Sequence, residues 1–269
     1  MKTGYQGKDF CFYHLIDDEV QNGNFALHSH DDLMEILVFL EGDADFHIEG
    51  NVYPLEPMDI ILASSNELHR FVHRKPCRYE RIVINISTSF FVNNECEMFE
   101  RAFVNRRPGE QNLIKHEVPE SQTLHNIVEK LQKYAFEDNP VPMIVRNTLI
   151  EFLYILNSKE IEAAKSSSKN NHIRDIILYI NENITGNLDL DLIADRFFMS
   201  KYHLCHIFKK HTGFTVNQYI TRKRIALVKE FCEQGKSLTF AASEAGFKSY
   251  SSFYRAYLKE NGTSPKTKS

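Results

Sequence analysis

The chain has 269 residues, 42% of them hydrophobic and 25% charged, which is the composition of a globular protein and a length that fits two domains. No segment approaches the roughly 18–20 consecutive apolar residues that cross a bilayer, and the N-terminus lacks the apolar core of a signal peptide, so we expect a cytoplasmic protein with no membrane partner. Its five cysteines never form a CxxC pair, which indicates free thiols rather than a disulfide scaffold or a zinc site.

The net charge of −4 is unevenly distributed along the chain. Residues 1–170 carry 17 Lys and Arg against 27 Asp and Glu, whereas residues 171–269 carry 15 against 9. An acidic N-terminal part and a basic C-terminal part are expected when only the C-terminal part meets phosphate. The charge alone leaves a second possibility, an uneven surface without any nucleic-acid partner.

The N-terminal part has the pattern of short β-strands. Between residues 25 and 92, runs rich in β-branched and aromatic side chains alternate with turn-forming Gly, Pro, Asn and Asp. Several short strands at this spacing predict a small all-β sandwich or barrel. The predicted strands cover residues 34–40, 45–48, 59–63 and 81–86.

From residue 121 onward the apolar side chains recur at helical spacing. Two amphipathic helices are predicted over 121–135 and 142–156, on either side of the sequence NPVP. We interpret these helices as a dimer surface, with packing onto their own β-domain as the alternative. Residues 165–171, KSSSKNN, have no apolar side chain to bury and predict a linker, which a further amphipathic helix over 172–182 follows.

The last part of the chain contains two helix-turn-helix patterns in tandem. Residues 188–210 and 238–259 each combine a short apolar-periodic helix, a tight turn and a second helix with basic residues. Ser200 and Ser249 stand where each second helix begins, which predicts that both residues are N-caps. A long helix over 216–234 would hold the two units at a fixed separation. Two such units on one chain predict a protein that reads two adjacent segments of the major groove.

The motifs HTGFTVNQYITRKRI and AASEAGFKSYSSFYRAYLKENGTSP resemble the AraC/XylS family of bacterial transcription regulators. The resemblance covers residues 172–265 and implies a seven-helix DNA-binding domain, whose two recognition helices enter successive major grooves of double-stranded DNA. It also implies which side chains read bases and which contact phosphate. The DNA-binding positions are Ser200, Lys201, Tyr202, Cys205, His206, Lys209, Lys248, Ser249, Tyr250, Ser251, Tyr254 and Arg255.

Four residues of this domain carry more specific expectations. Arg255 is expected to pair bidentately with guanine. Phe198 stands where the family often has Gly in the first turn, which predicts a different backbone conformation there. Ala241 stands where a larger apolar residue is usual, which predicts a thinner second unit. Arg224, on the joining helix, is expected to form a structural ion pair rather than a DNA contact.

The histidines of the N-terminal part are spaced like those of a cupin motif, H-x-H-x4-E-x6-G followed by a late histidine. In metal-binding cupins the three histidines and the glutamate converge on one ion, whereas sensors of the AraC/XylS type often keep these positions without a metal. We therefore expect no metal and no cofactor, and instead an effector pocket for a small polyol. The residues of this pocket are Phe25, His28, His30, Glu35, Phe46, His47 and His69.

The sequence thus predicts a two-domain protein, with an N-terminal all-β cupin-like barrel that carries a helical dimerisation segment and a C-terminal all-α double helix-turn-helix domain. The expected segments are a sensing domain (1–118), the dimerisation segment (119–164), the linker (165–171) and the DNA-binding domain (172–269). The expected function is that of a homodimeric, non-enzymatic transcription activator that responds to a sugar-type effector and contacts RNA polymerase. Two alternatives remain open: a metal-dependent cupin enzyme carried on a DNA-binding tail, and a dimeric regulator that binds no effector.

Overall fold

The fold is taken from a computed structural model, which describes residues 1–21, 23–24, 28–30, 33–65, 67–158, 171–212 and 214–265. The chain divides into two units, Met1–Ser168 and Lys169–Ser269. Phe25, the end of the expected dimerisation segment and nearly all of the expected linker lie outside the described residues. All five cysteines are free thiols.

The first unit contains two antiparallel sheets. The larger sheet has the strand order β1-β2-β9-β4-β7-β10, and the smaller sheet has the order β3-β8-β5-β6. The strands are β1 Lys2–Gln6, β2 Phe10–Val20, β3 Gly23–Asn24, β4 Leu33–Glu41, β5 Ala44–Ile48, β6 Asn51–Pro54, β7 Ile60–Ala63, β8 His69–His73, β9 Cys77–Ser87 and β10 Leu113–Ile114.

The four predicted strands are confirmed as β4, β5, β7 and β9. The expected barrel is corrected in one respect, because no ladder between described residues joins the edges of the two sheets into a closed cylinder. The sheets instead stack face to face, with apolar side chains such as Phe39 and Phe46 filling the layer between them. The other six strands were not predicted. In β2, for example, polar and half-buried side chains such as His14 and Asp17 mask the alternation of a buried strand.

Two long helices cover the outer face of the larger sheet. Helices α1 Thr88–Asn93 and α2 Arg101–Val104 are short, and a 3₁₀ turn, Glu97–Glu100, lies between them. Helices α3 Pro119–Ala135 and α4 Pro142–Leu156 pack their apolar side chains, Leu131 and Phe152 among them, against Phe12 and Ile84 of the sheet. Because β4 is covered by the smaller sheet on one face and by helices on the other, it is buried without a break from Met34 to Phe39. The alternative that these helices pack onto their own β-domain therefore holds.

The second unit is entirely helical within the described residues. Six helices lie there, one fewer than the family resemblance implied. They are α5 Asn171–Glu182, α6 Leu190–Arg196, α7 Lys201–Thr212, α8 Val216–Glu233, α9 Leu238–Glu244 and α10 Tyr250–Asn261. The pairs α6–α7 and α9–α10 are the two predicted helix-turn-helix units, and α8 contacts helices of both.

No helix in the part of the chain that the structure describes combines the length and the apolar character needed to span a membrane.

Candidate nucleic-acid interface and sensing cluster

Both second helices of the helix-turn-helix units begin at a capping serine, as the sequence predicts. The Ser200 hydroxyl accepts a hydrogen bond from the backbone N–H of His203 at 3.2 Å. Ser249 and Ser252 form a capping box, in which the Ser249 hydroxyl accepts from the Ser252 N–H and the Ser252 hydroxyl accepts from the Ser249 N–H, each at 3.2 Å. These caps satisfy N–H groups that a helix end leaves open, and they fix the direction in which each helix begins.

Helix α7 exposes a row of polar side chains on the face opposite its core. Leu204 and Phe208 are fully buried, whereas the Tyr202 side chain is 82% exposed. The Tyr202 ring lies nearly parallel to the His206 ring one turn later, with centroids 6.3 Å apart and planes 12° apart. Lys209 is exposed on the same helix, and Cys205 is half-buried.

Lys201 on this face has an acidic partner on the preceding helix. Its ammonium lies 2.9 Å from a carboxylate oxygen of Asp191 on α6. This hydrogen bond raises the pKa of Lys201. Both side chains are at least half exposed, so the pair exchanges readily with solvent and contributes little to stability.

Helix α10, the second helix of the second helix-turn-helix, exposes a face similar to that of α7. Phe253 is fully buried, and Tyr250 and Tyr254 are exposed with ring centroids 6.3 Å apart. Arg255 is exposed beside them, and its Nε donates a long 3.4 Å hydrogen bond to the Ser251 carbonyl. Among the described residues this is the one hydrogen bond of the Arg255 guanidinium, which therefore remains available for a bidentate contact to a base or a phosphate. Lys248 and Ser249 are also exposed, immediately before the helix.

The first turn corrects an expectation from the sequence. Phe198 keeps the left-handed backbone that Gly would adopt, with φ of 54°, and its side chain is 98% exposed. The different backbone conformation predicted at this position was therefore wrong. The turn keeps its geometry because Phe198 and Met199 donate hydrogen bonds to the Asp195 and Ala194 carbonyls, at 3.2 and 3.0 Å, and these bonds close the end of α6.

Arg224 on α8 is structural, but it is not an ion pair. Its guanidinium donates to two backbone carbonyls of the segment before α6, that of Ile184 at 2.9 Å and that of Gly186 at 2.7 Å. Arg222, also on α8, does form an ion pair, since its Nε lies 2.7 Å from a carboxylate oxygen of Glu260 on α10. Arg224 therefore connects helix α8 to the segment that leads into α6, the start of the first helix-turn-helix.

In the β-rich unit, Met1–Ser168, the side chains of His28, His30, His69 and Glu35 lie close together. The backbones of His28 and His69 exchange two hydrogen bonds, at 3.0 and 2.9 Å. Their ring centroids lie 4.5 Å apart, and the His30 ring lies 5.1 Å from His28 and 5.5 Å from His69. The Glu35 carboxylate from β4 lies 3.0 Å from His30 Nε2 and 3.6 Å from His69 Nε2.

The electrostatics of this cluster favour an ionised glutamate beside a neutral histidine. Burial alone would raise the pKa of Glu35, but the hydrogen bond from His30 and the field of His69 outweigh it and lower that pKa. Burial lowers the pKa of His69. Because His69 Nδ1 donates to the Glu67 carbonyl at 2.8 Å, the neutral ring presents the lone pair of Nε2 to the cluster. That buried Nε2 has no hydrogen-bond partner among the described residues.

The same geometry fits a transition-metal ion. One ring nitrogen from each of His28, His30 and His69 lies within 4.8 Å of the other two. With a Glu35 oxygen, they form a donor set of three nitrogens and one oxygen that suits zinc, iron, manganese or nickel. The Glu67 carbonyl orients His69 as a backbone acceptor commonly orients a metal-bound histidine.

The remaining expected pocket residues are divided between two faces of the smaller sheet. Phe46 is buried, with its ring centroid 5.6 Å from that of His69, so it forms a wall of the cluster. His47 is the next residue along β5, and its side chain therefore points to the opposite face of the sheet. The structure does not bring His47 together with the other histidines.

Comparisons with known proteins give the same two-part organisation. Residues 14–123 match the AraC-like ligand binding domain, and residues 193–268 match a helix-turn-helix domain. The transcriptional activator RhaS of Escherichia fergusonii is 19% identical over 253 residues, which cover 93% of this chain and 90% of the relative.

Two further proteins are similar to this chain, one over about a third of it in sequence and one over nearly its whole length in structure. The multiple antibiotic resistance protein MarA of Escherichia coli is 31% identical over 86 residues, which cover 32% of this chain and 68% of the relative. The structure of ToxT from Vibrio cholerae aligns with a TM-score of 0.38 and 16% identity, and covers 96% of this chain and 97% of that one. The chain belongs to the AraC/XylS family of DNA-binding transcription regulators.

Proposed function

We propose that the chain is a sequence-specific transcription activator whose DNA-reading surface consists of the outward faces of α7 and α10. The observation that supports this proposal is the pair of capped helices with exposed polar and aromatic side chains, which α8 joins. Arg255 would read guanine, and the tyrosines would contact thymine methyl groups or sugars. Lys209 and Lys248 would position the protein by contacting phosphates. Activation is suggested by the name of the relative RhaS, a transcriptional activator.

The spacing of the two readers predicts the form of the DNA site. Two recognition helices on one face of a duplex enter grooves about one helical turn apart, or about 10 bp. A homodimer, with two readers in each copy, would therefore bind a repeated pair of such half-sites. We propose residues 172–269 as the DNA-binding domain and residues 165–171 as the linker that connects it to the sensing part.

The dimer would form through residues 119–164, on the surface of α4 that its own sheet leaves open. Ile144 and Tyr154 are exposed there, although other apolar residues of α4 are buried against the sheet. Exposed large apolar side chains on an otherwise packed helix are typical of a protein–protein contact. Sedimentation equilibrium of Tyr154→Glu tests this surface, and an unchanged dimer would exclude it.

We propose residues 1–118 as the sensing domain and the cluster of His28, His30, Glu35 and His69 as the effector site. Histidine and carboxylate groups beside the Phe46 ring suit the hydroxyl groups and apolar face of a small polyol. Effector binding would shift the population between states that occupy different half-sites, and so alter the contact with RNA polymerase in the cytoplasm. The chain would then act as a regulator and not as an enzyme.

A selection experiment tests the DNA-binding proposal and does not require that the promoter be identified first. The full chain is used to select duplexes from a randomised pool, with and without each member of a sugar panel, and the enriched sequences are titrated by fluorescence anisotropy. We expect enriched half-sites about 10 bp apart. Failure to enrich any sequence under every condition would contradict sequence-specific binding. A sugar at 100 times its Kd should also add about 2.7 kcal/mol to the free energy of unfolding.

The convergence of three histidine nitrogens and Glu35 favours a second candidate, a metal centre at the same cluster. Protein purified without chelator would then contain stoichiometric metal, which His30→Ala would lose. Metal analysis and an unchanged fold by circular dichroism separate this candidate from a polyol site. Stoichiometric metal together with turnover of a substrate would favour the cupin enzyme carried on a DNA-binding tail.

A further inference from the structure

We propose that the unit Met1–Ser168 binds an organic anion, a monocarboxylate with an apolar body, in a second site that shares no lining residue with the histidine cluster. The site is a cavity of about 500 Å³ between the β1–β2 turn, the end of α1 and the start of α4. This volume lies within the range of about 300–1,000 Å³ typical of small-molecule sites. All of its walls belong to the unit Met1–Ser168.

The floor of the cavity is aromatic and rigid. Tyr5, Phe10 and Phe90 line it, and all three are buried members of the core. The Phe10 ring lies 5.6 Å from Tyr5 and packs edge-on against Phe90 at the same distance. Such a floor offers apolar and polarisable surface to a ring or short chain without any rearrangement of its own.

The mouth of the cavity has apolar surface that its own chain does not cover. Val141 is 51% exposed and Met143 is 54% exposed, and both line the cavity at the start of α4. Methylene groups that a ligand buries against such surface leave water, which favours binding. The exposed rim therefore adds to the buried floor as a binding surface for an apolar body.

Two cations at the rim determine the sign of the ligand. Lys8 and Arg146 line the cavity and are exposed, and neither lies within ion-pair distance of a carboxylate in the described part of the chain. Most other basic side chains of the β-domain have acidic partners, such as Arg74 with Asp43 and Lys115 with Asp59. In this proposal the carboxylate group of the ligand lies at the rim that Lys8 and Arg146 share, where these cations offer it charge-assisted hydrogen bonds.

Asp9, the acidic residue in the lining, forms its hydrogen bonds with α1 and not with Lys8 or Arg146. The Asp9 carboxylate accepts hydrogen bonds from Asn93 Nδ2 at 2.9 Å and from Ser89 Oγ at 3.3 Å, both on α1. The Asp9 backbone carbonyl also accepts from the Ser87 N–H at 2.9 Å. These bonds fasten the β1–β2 turn to α1, so the wall that carries Lys8 is preformed.

The experiment uses the full chain and three probes of one shape. 4-Phenylbutanoate carries the carboxylate, 4-phenylbutanamide is its neutral match, and 4-phenylbutylamine carries the opposite charge. Isothermal titration calorimetry should give saturable 1:1 binding of 4-phenylbutanoate, with the amide weaker by about tenfold and the amine weaker still. If 4-phenylbutanoate does not bind, or if the amide binds equally well, the proposal is overturned.

Matched variants locate the site. We expect Lys8→Gln and Arg146→Gln each to weaken 4-phenylbutanoate by about fivefold, and Arg146→Glu to reverse the preference between the acid and the amine. Val141→Trp, at the exposed rim, should abolish binding by filling the mouth. Lys133→Gln, an exposed cation elsewhere on α3, should leave the affinity unchanged.

One more variant separates this site from the effector site proposed above. His30→Ala should leave the affinity for 4-phenylbutanoate unchanged, because His30 lies in the other cluster. Binding that is lost in His30→Ala but retained in both Lys8→Gln and Arg146→Gln would place the ligand at the histidine cluster and overturn the proposal. Because binding is measured directly, failure of the DNA-binding or sugar proposals would not affect this result.

Discussion

Phe198 and Gly246 occupy the same position in the two helix-turn-helix units, and both have a left-handed backbone, with φ of 54° and 88°. Each stands two residues after the end of a seven-residue helix, α6 or α9. The hydrogen bonds also correspond, since Met199 donates to Ala194 and Phe247 donates to Ala242, each at 3.0 Å. The two turns thus share one geometry, which glycine adopts without cost and phenylalanine does not.

The first prediction is that Phe198→Gly stabilises the protein. A non-glycine residue in the left-handed region costs about 1–2 kcal/mol, and the 98% exposed ring has almost no packing to lose. Part of this gain is offset because glycine has more freedom in the unfolded chain. We expect a net increase of about 0.5–1 kcal/mol in the free energy of unfolding, measured by urea denaturation. Phe198→Ala, which removes the ring but keeps Cβ, should give no such increase, and equal effects of the two variants would refute the explanation.

The second prediction separates backbone strain from steric overlap at two glycines with positive φ. A Cβ at Gly246 would lie 2.7 Å from the Thr185 carbonyl oxygen, whereas at Gly262 it would meet nothing within 4 Å. We expect Gly262→Ala to cost about 1 kcal/mol from strain alone. Gly246→Ala should cost clearly more, about 2–4 kcal/mol, because the Thr185 segment must also move. Thermal denaturation of both variants would contradict this account if the two losses were the same.

Much of the DNA-reading domain was predictable, because its helices follow local rules. The spacing of Leu204 and Phe208 identified the buried face of α7, and the serines at positions 200 and 249 identified both N-caps. The backbone at Phe198 was not predictable from residue type, because hydrogen bonds to Asp195 and Ala194 impose it. The partners of Arg224 were not predictable either, since they are backbone carbonyls about 40 positions away in sequence.

In the β-rich unit, the sequence predicted the histidine cluster but neither the orientation of His47 nor the cavity beside Lys8. The spacing of the motif predicted that His28, His30, Glu35 and His69 lie close together, and in the structure they do. Glu35 lies on a strand that the sequence pattern predicted. His47 was grouped with them by residue type, although alternation along β5 turns it to the other face. The cavity beside Lys8 and Arg146 has no sequence signal, because its walls come from three separate segments of the chain, residues 5–10, 90–94 and 141–146.

The third prediction concerns Arg224, which we expect to hold helix α8 against the segment before α6 and not to contact DNA directly. Arg224→Met removes two hydrogen bonds to the carbonyls of Ile184 and Gly186. The free energy of unfolding should fall by about 1 kcal/mol, because a half-buried carbonyl at Ile184 and an exposed one at Gly186 lose hydrogen bonds from a charged donor. The slope of log affinity for DNA against log salt should stay the same, since no phosphate contact is lost. A slope reduced by about 1 would show instead that Arg224 contacts phosphate.

The fourth prediction is a loss of stability at mildly acidic pH that depends on His125. Burial lowers the pKa of His125 in the folded protein, so below its ordinary value of about 6.5 the unfolded chain binds the proton more tightly. The free energy of unfolding should therefore fall as the pH decreases from 7.5 through 6.5, until the folded-state pKa is passed. In His125→Gln this decrease should be smaller, as judged by urea denaturation at a series of pH values.

Ser121→Ala is the matched control for His125, because Ser121 Oγ lies 3.3 Å from His125 Nδ1 and the substitution keeps the titrating ring. This variant should be less stable at every pH while retaining the dependence on pH. A wild-type pH dependence that survives unchanged in His125→Gln would rule out the assignment.

The fifth prediction distinguishes a base-reading residue from a phosphate-contacting residue on the second unit. Arg255 is exposed on α10, where its Nε donates a 3.4 Å hydrogen bond to its own helix, and Lys248 is exposed just before the helix begins. Arg255→Ala should cost about 1–3 kcal/mol of affinity for the selected site and relax the preference for guanine at one position. Lys248→Ala should weaken binding to selected and unrelated duplexes equally and reduce the salt slope by about 1. Fluorescence anisotropy over a salt series, with every single-base variant of the site, measures both effects. The two roles would be wrong if Arg255→Ala weakened all duplexes alike while Lys248→Ala changed the sequence preference.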